Sequence, residues 1–263
     1  MKLWNYKGQQ NTISEALQLT LPLRSGRATV ISFVGAGGKT SLIFAWAREL
    51  ASAGKKIIIT TTTHMLHPDY SEGAYSGSAI IYPADYAADE ARFAEEYAEI
   101  DRLLGEEGIL MLTSEDASNC RKVVSAPEHI FDYACKVSDI VLIEADGSRR
   151  MPLKLPREHE PQVPNCTDVS ICVAGMSSLG KPVSEAVYGA EMIPSPLARD
   201  TVDKTLIAAV LSSPDAGLKG TCGDYRVFLN QADTEELQEK SEHLQKMFAV
   251  RGIQSAWGSL LND

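Results

Sequence analysis

The sequence predicts a three-layer α/β fold, a mostly parallel sheet with helices on both faces, and three observations predict it. Apolar runs of strand length alternate with segments of helical period. A glycine turn, GAGGKT at 35–40, joins one such run directly to one such helix. A later run, VLIEAD at 141–146, ends in acids where a buried strand would stop. At 263 residues the chain can bury a large core as one domain, interrupted by a proline-rich functional loop at about 147–166.

Taken in order, strands are expected at 28–34, 56–61, 79–82, 108–112, 139–144, 169–174 and 225–230. After the glycine turn, Leu42, Ile43, Trp46, Ala47 and Leu50 share one helical face, and Gly54 supplies the stop. Ser125-Ala-Pro-Glu128 has the pattern of a capping box with proline in the first turn, leading into Ile130, Phe131 and Ala134. Two further helices are expected at about 199–212 and 234–250.

The net charge of -10, with acids dense over 89–107, argues against a nucleic-acid surface or an anionic membrane as partner. The first residues lack an apolar leader core, and no apolar run approaches the roughly 18 residues of a membrane span, so a cytoplasmic protein is expected. Five cysteines, none in a C-x-x-C pair, indicate neither a disulfide framework nor a zinc knuckle.

The glycine turn carries the chemistry. A phosphate loop needs a strand that aims it, glycines that let N–H groups converge, a helix N-terminus behind, a lysine for the outer phosphates and a hydroxyl for magnesium. All are present in a form shorter than G-x-x-x-x-G-K-[ST]: Phe33 stands where the first glycine is usual. Gly35, Ala36, Gly37, Gly38, Lys39, Thr40 and Ser41 are therefore the candidate nucleotide contacts, with Mg2+ and ATP or GTP as the ligands. The shorter spacing resembles the loop of the Mur-type ligases. The fold is accordingly P-loop NTPase-like.

Other residues gather around this device. Glu144, and after it Asp146, are candidates to hold magnesium or orient water at the end of their strand. Thr62, Thr63 and His64 follow another strand, at the carboxyl edge where open α/β sheets bind ligands. In FLNQAD, Asn230 and Asp233 fit the Asn-Lys-x-Asp pattern that reads guanine, although Gln231 replaces the lysine and Asp233 has equal claim as a helix N-cap. Arg149, Arg150, Lys154 and Arg157 directly follow the acids and would lie over the nucleotide or present an anionic second substrate, with Arg149 stabilising a transferred phosphoryl group. Glu158-His159-Glu160 has only weak metal-site character, because it lacks helical spacing and is flanked by prolines.

Together VGAGGKTSL, TTTTHM, EADGSRRMPLKLPREHEPQVP and LNQAD, spread from about Trp4 to Asp233, resemble the YqeC-type family, named as selenium-dependent molybdenum hydroxylase accessory proteins. The resemblance implies a P-loop NTPase-like protein in a bacterial pathway maturing selenium-containing molybdenum hydroxylases, with such a hydroxylase or its cofactor-maturation proteins as partner. It carries the glycine loop, Lys39 and Thr40 over as nucleotide site and Glu144 and Asp146 as metal or water site, while Gln231 leaves the choice of nucleotide open. Three readings follow: a nucleoside triphosphate hydrolase or phosphoryl-transfer enzyme, a nucleotide-gated chaperone with little turnover, or an ATP-dependent ligase or kinase for a small acid.

Overall fold

A computed structural model describes residues 1–70 and 75–260. Its strands are β1 (Lys2–Asn5), β2 (Gly8–Gln10), β3 (Thr29–Gly35), β4 (Ile57–Thr61), β5 (Met65–Leu66), β6 (Ser78–Tyr82), β7 (Ile109–Glu115), β8 (Lys122–Ser125), β9 (Ile140–Glu144), β10 (Leu153–Lys154), β11 (Val169–Gly175), β12 (Val187–Tyr188), β13 (Asp224–Asn230) and β14 (Gln254–Ser259). The helices are α1 (Ile13–Leu17), α2 (Lys39–Ser52), α3 (Phe93–Glu107), α4 (Glu128–Val137), α5 (Val183–Ala186), α6 (Lys204–Leu211) and α7 (Glu235–Val250).

Twelve strands form one sheet in the order β2-β1-β14-β13-β11-β3-β9-β4-β7-β8-β5, with β6 on β7. From β14 to β7 every pairing is parallel, and β6 joins β7 in parallel too. The expected parallel strands are all present. They read as continuous apolar runs because both faces are covered. Ile31, Phe33, Ile57 and Ile59 pack toward α1 and α2, whereas Val30, Ile58, Val141 and Ile143 pack toward α3 and α4 on the other face. The α6 and α7 helices cover Val34, Ala174, Val227 and Leu229.

Past the end of β4, β8 takes its place: β4 pairs with Ile109–Met111 of β7, and β8 pairs antiparallel with Thr113–Glu115. The start of β8 therefore projects above the carboxyl edge of the sheet.

Three expectations are corrected. Ser125 forms no capping box, because it ends β8 and leaves Pro127 at the N-cap of α4 without a side-chain cap. The helix expected over 199–212 is limited to Lys204–Leu211, where the Asp203 carboxylate caps Leu206 N. The N-cap of α7 is Thr234, accepting from Leu237 N, and not Asp233. The sequence pattern also gave no sign of the antiparallel edge formed by β1, β2 and β14 or of α3, which buries only Ile100 and Leu104.

At the amino end of β11, buried Asp168 accepts from Arg24 Nε at 2.9 Å, from Arg27 Nη1 and Nη2 at 2.9 and 2.7 Å, and from Val30 N at 3.0 Å. Burial alone would raise this carboxyl, but the bonds from Arg27, Val30 and Arg24 hold it below its ordinary value. A depressed carboxyl contributes stability that is present above the ordinary aspartate pKa of about 3.9 and is lost as pH falls through the folded value. Asp168→Asn is expected to lower stability by about 2 kcal/mol at neutral pH. Urea titrations should show the gap to wild type closing as the pH is taken below the ordinary aspartate value of about 3.9 and through the lower folded one. A gap independent of pH would remove the ionic account.

The five cysteines are unpaired. Among the described residues no helix is long and apolar enough to cross a membrane.

Candidate functional site

The glycine loop leaves the carboxyl end of β3 between β9 and β11 and ends in α2. Its tightness is imposed by the neighbours. A Cβ at Gly37, where φ is +80°, would lie 2.2 Å from Gly175 N, and one at Gly38, where φ is +110°, would lie 2.4 Å from Asn230 Nδ2. Gly38 is the N-cap of α2 and offers no side-chain cap, so the first turn presents backbone N–H groups and the positive end of the helix to the space above.

Lys39 and Asp146 form the buried base of the loop. Lys39 Nζ donates to Gly35 O at 2.6 Å and lies 3.0 Å from Asp146 Oδ1, while Gly35 N donates to Asp146 Oδ2 at 3.0 Å. Burial would lower the Lys39 ammonium, but the charges of Asp146 and Glu144 reverse this and raise it above its ordinary value. Thr40 Oγ1 donates to Glu144 Oε2 at 2.6 Å. Burial pushes the Glu144 carboxyl up, against the opposing effects of Lys39 and Thr40. Two oxygen donors, a hydroxyl and a buried carboxyl, thus stand together beside the loop, a set that could hold magnesium sharing its shell with phosphate.

The segment over 147–166 is fastened to the rest of the fold. It is tied down by β10 pairing with β12, by Gly175 N donating to Pro152 O at 2.7 Å, and by Gln162 N donating to Ala145 O at 3.0 Å. Lys154, expected over the nucleotide, instead points behind the loop. Its ammonium is fully buried, 3.3 Å from Asp146 Oδ2 and 2.9 Å from Glu160 Oε2, and it donates to Gly147 O. Asp146 therefore sits between two buried lysines.

Above the loop opens a cleft of about 740 Å³. Gly37, Gly38, Lys39, Thr40, Ser41, Glu144, Arg149, Arg150 and His64 line it, so the structure brings these expected residues together. Ala36 is buried beneath them, its N–H on Val173 O at 2.8 Å. Asn230 Nδ2 donates to Gly37 O at 2.9 Å, so this residue fastens the loop from β13. Asp233 is exposed beyond that strand and is not among the cleft residues. Arg157 lies 4.9 Å from the Tyr188 ring and 3.6 Å from Glu191, outside the cleft, and His159 is exposed. Glu160 is engaged by Lys154 and by Arg157 N.

Sequence reasoning missed the far wall: Asp116, Ser118, Asn119 and Lys122, from the β7–β8 turn. The signal available was weak, a polar stretch following a strand whose carboxyl end faces the same edge. Another hollow, of about 600 Å³, lies at the antiparallel edge between Trp4, Trp257 and α7 and carries none of the motif residues.

Comparison with known proteins follows the same residues. The family described as YqeC protein matches over residues 31–191. The chain is 38% identical over 159 residues to the "Uncharacterized protein YqeC" of Escherichia coli strain K12, a match covering 60% of this chain and 56% of that protein. The chain thus spans little more than half the length of that relative. Because most of β3, the glycine loop, the Glu144 strand and the whole 147–166 segment fall inside the matched region, which covers more than half of the chain, the chain belongs to the YqeC family.

Proposed function

We propose that the protein binds a nucleoside triphosphate, ATP or GTP, with Mg2+ and hydrolyses it or transfers its terminal phosphoryl group. The observation that carries this reading is the convergence of Lys39, Thr40 and Glu144 at an uncapped helix N-terminus behind a glycine turn. The N–H groups of the first turn hold the phosphates, and Lys39, its ammonium kept charged by Asp146, sets a positive charge against the outer ones. Thr40 and Glu144 supply the oxygen ligands for magnesium, which when bound neutralises phosphate charge. Glu144 has the further task of orienting a water or acceptor, and Arg149 at the cleft lip stabilises charge on the transferred group. In this reading Asp146 is a support for the loop, since Gly35 N and two lysines occupy its oxygens. The setting is the one the resemblance implies, maturation of selenium-dependent molybdenum hydroxylases, with those enzymes or their cofactor-maturation proteins as partners.

A thermal-shift panel of ATP, GTP and CTP with magnesium, on wild type and Lys39→Ala, tests the reading. A nucleotide at a hundred times its dissociation constant should stabilise wild type by about 2.7 kcal/mol. Lys39→Ala should lose that shift and magnesium-dependent phosphate release; its unliganded melting temperature falls because Asp146 loses one of its two buried lysines, so the shift is read against each variant's own unliganded value. An undiminished shift in Lys39→Ala would defeat the proposal.

One observation favours nucleotide-gated docking as a second reading: Lys154 joins the 147–166 segment to Asp146, and through it to Lys39. A full thermal shift without phosphate release would select it.

A further inference from the structure

The far half of the cleft holds a group of hydrogen-bond donors that the nucleotide reading does not use. The chain carries a net charge of -10, and most of its buried or helical cations are paired: Arg102 with Glu99 and Glu106, Lys240 with Glu236, Lys246 with Glu242, Lys154 with two carboxylates. Lys122 and Arg150 differ. Both line the cleft, and among the described residues neither side chain forms an ion pair or hydrogen bond. The charge of Lys122 is nevertheless felt at Glu144 and at Asp116.

The groups beside Lys122 are also donors. The side-chain oxygen of Asn119 accepts from Arg121 N, which leaves the side-chain NH2 group of this cleft-lining residue as a donor. The acid on this wall, Asp116, is occupied by Ser118 N and Oγ and by His64 Nε2 at 3.4 Å. Position separates this wall from the phosphate loop. The β8 strand lies in line with β4, and β4 is separated by β9 from β3, the strand that leads into the glycine loop, so two strand spacings, about 10 Å, separate the backbone of β8 from that of β3. That exceeds the separation of adjacent phosphates, so the two elements stand far enough apart to hold separate anions.

We infer that Lys122, Asn119 and Arg150 form a second anion subsite, beside the nucleotide, for a small molecule bearing a phosphate or carboxylate oxyanion. The inference rests on the nucleotide reading of the first site, and the test keeps the two apart. Inorganic phosphate serves as probe for both places in equilibrium dialysis on the full chain without nucleotide. Wild type should take up two phosphates. Lys39→Ala should lose one, Lys122→Ala the other, with at least tenfold weaker binding in each case, and the double variant should lose both. Truncating Lys122 leaves its structural bond intact, since that bond runs from its backbone N–H to Asn119 O at 2.9 Å. Lys122→Arg, which keeps the charge, should retain the second site. Two phosphates retained in Lys122→Ala, no second phosphate in wild type, or both phosphates lost in Lys122→Ala alone would overturn the inference. Loss confined to Lys122→Ala, with Lys39→Ala unaffected, would sustain the second site and sink the first.

Discussion

Gly37→Ala is expected to destabilise the protein by roughly 3 kcal/mol and to abolish nucleotide binding. Two costs combine. A left-handed residue with a Cβ costs about 1–2 kcal/mol, and pressing that Cβ into close-packed backbone costs about 1–3 kcal/mol more. The atoms it meets are Gly175 N at 2.2 Å, Gly175 Cα at 2.5 Å and Pro152 O at 2.8 Å, none of which can swing aside as a side-chain tip would. Relief must come from moving the loop off β11, and with it the N–H groups proposed to hold the phosphate. A fall in melting temperature of about 6–12 °C is expected. Gly105→Ala is the control: it lies within α3 with nothing within 4 Å of the added carbon, and it should leave stability equal or slightly raised. If both variants melt alike and bind nucleotide alike, the loop is not held as described.

Asp146→Ala should be at least as damaging, about 3–5 kcal/mol, because it strands two buried ammonium groups and leaves Gly35 N–H without its acceptor. Lys154 keeps Glu160, whereas Lys39 keeps only the Gly35 carbonyl among its direct contacts. Adding Lys154→Met to Asp146→Ala should recover part of the loss, since a buried methionine needs no counter-charge. The double-mutant cycle, measured by denaturant unfolding, is expected to give a coupling of about 1–3 kcal/mol. Strict additivity would mean that the lysine and the carboxylate do not share an environment.

The parallel core is legible in the sequence for a physical reason. Strands buried on both faces, such as IIITT at 57–61 and IVLIE at 140–144, are apolar at nearly every position, and no other element of that length looks the same. The glycine loop is legible because its residues are fixed by backbone geometry as well as chemistry. The edge strands are not. QSAWGS of β14 and KLWN of β1 mix polar and apolar residues because each is stabilised by its partner across the ladder rather than by its own run. The direction of Lys154 is likewise invisible in a string of basic residues: only the register of β10 on β12 turns it inward to Asp146. Lys122 and Asn119 escape notice because a turn brings them to the site, and a turn of polar residues looks like any other.

The three tryptophans divide the molecule into two optical reporters. Trp46 is fully buried in the helix that begins at Lys39, edge-on to Phe33 of the loop strand at 6.1 Å, with its indole N–H held by Ser14. Its emission therefore senses the helix proposed to grip the phosphate. Trp4 and Trp257 lie stacked at 4.3 Å and 11° at the other side of the sheet, close and parallel enough for their indole transitions to couple in circular dichroism. A ligand that moves the loop and a perturbation that peels off the antiparallel edge are thereby distinguishable in unlabelled protein by light alone.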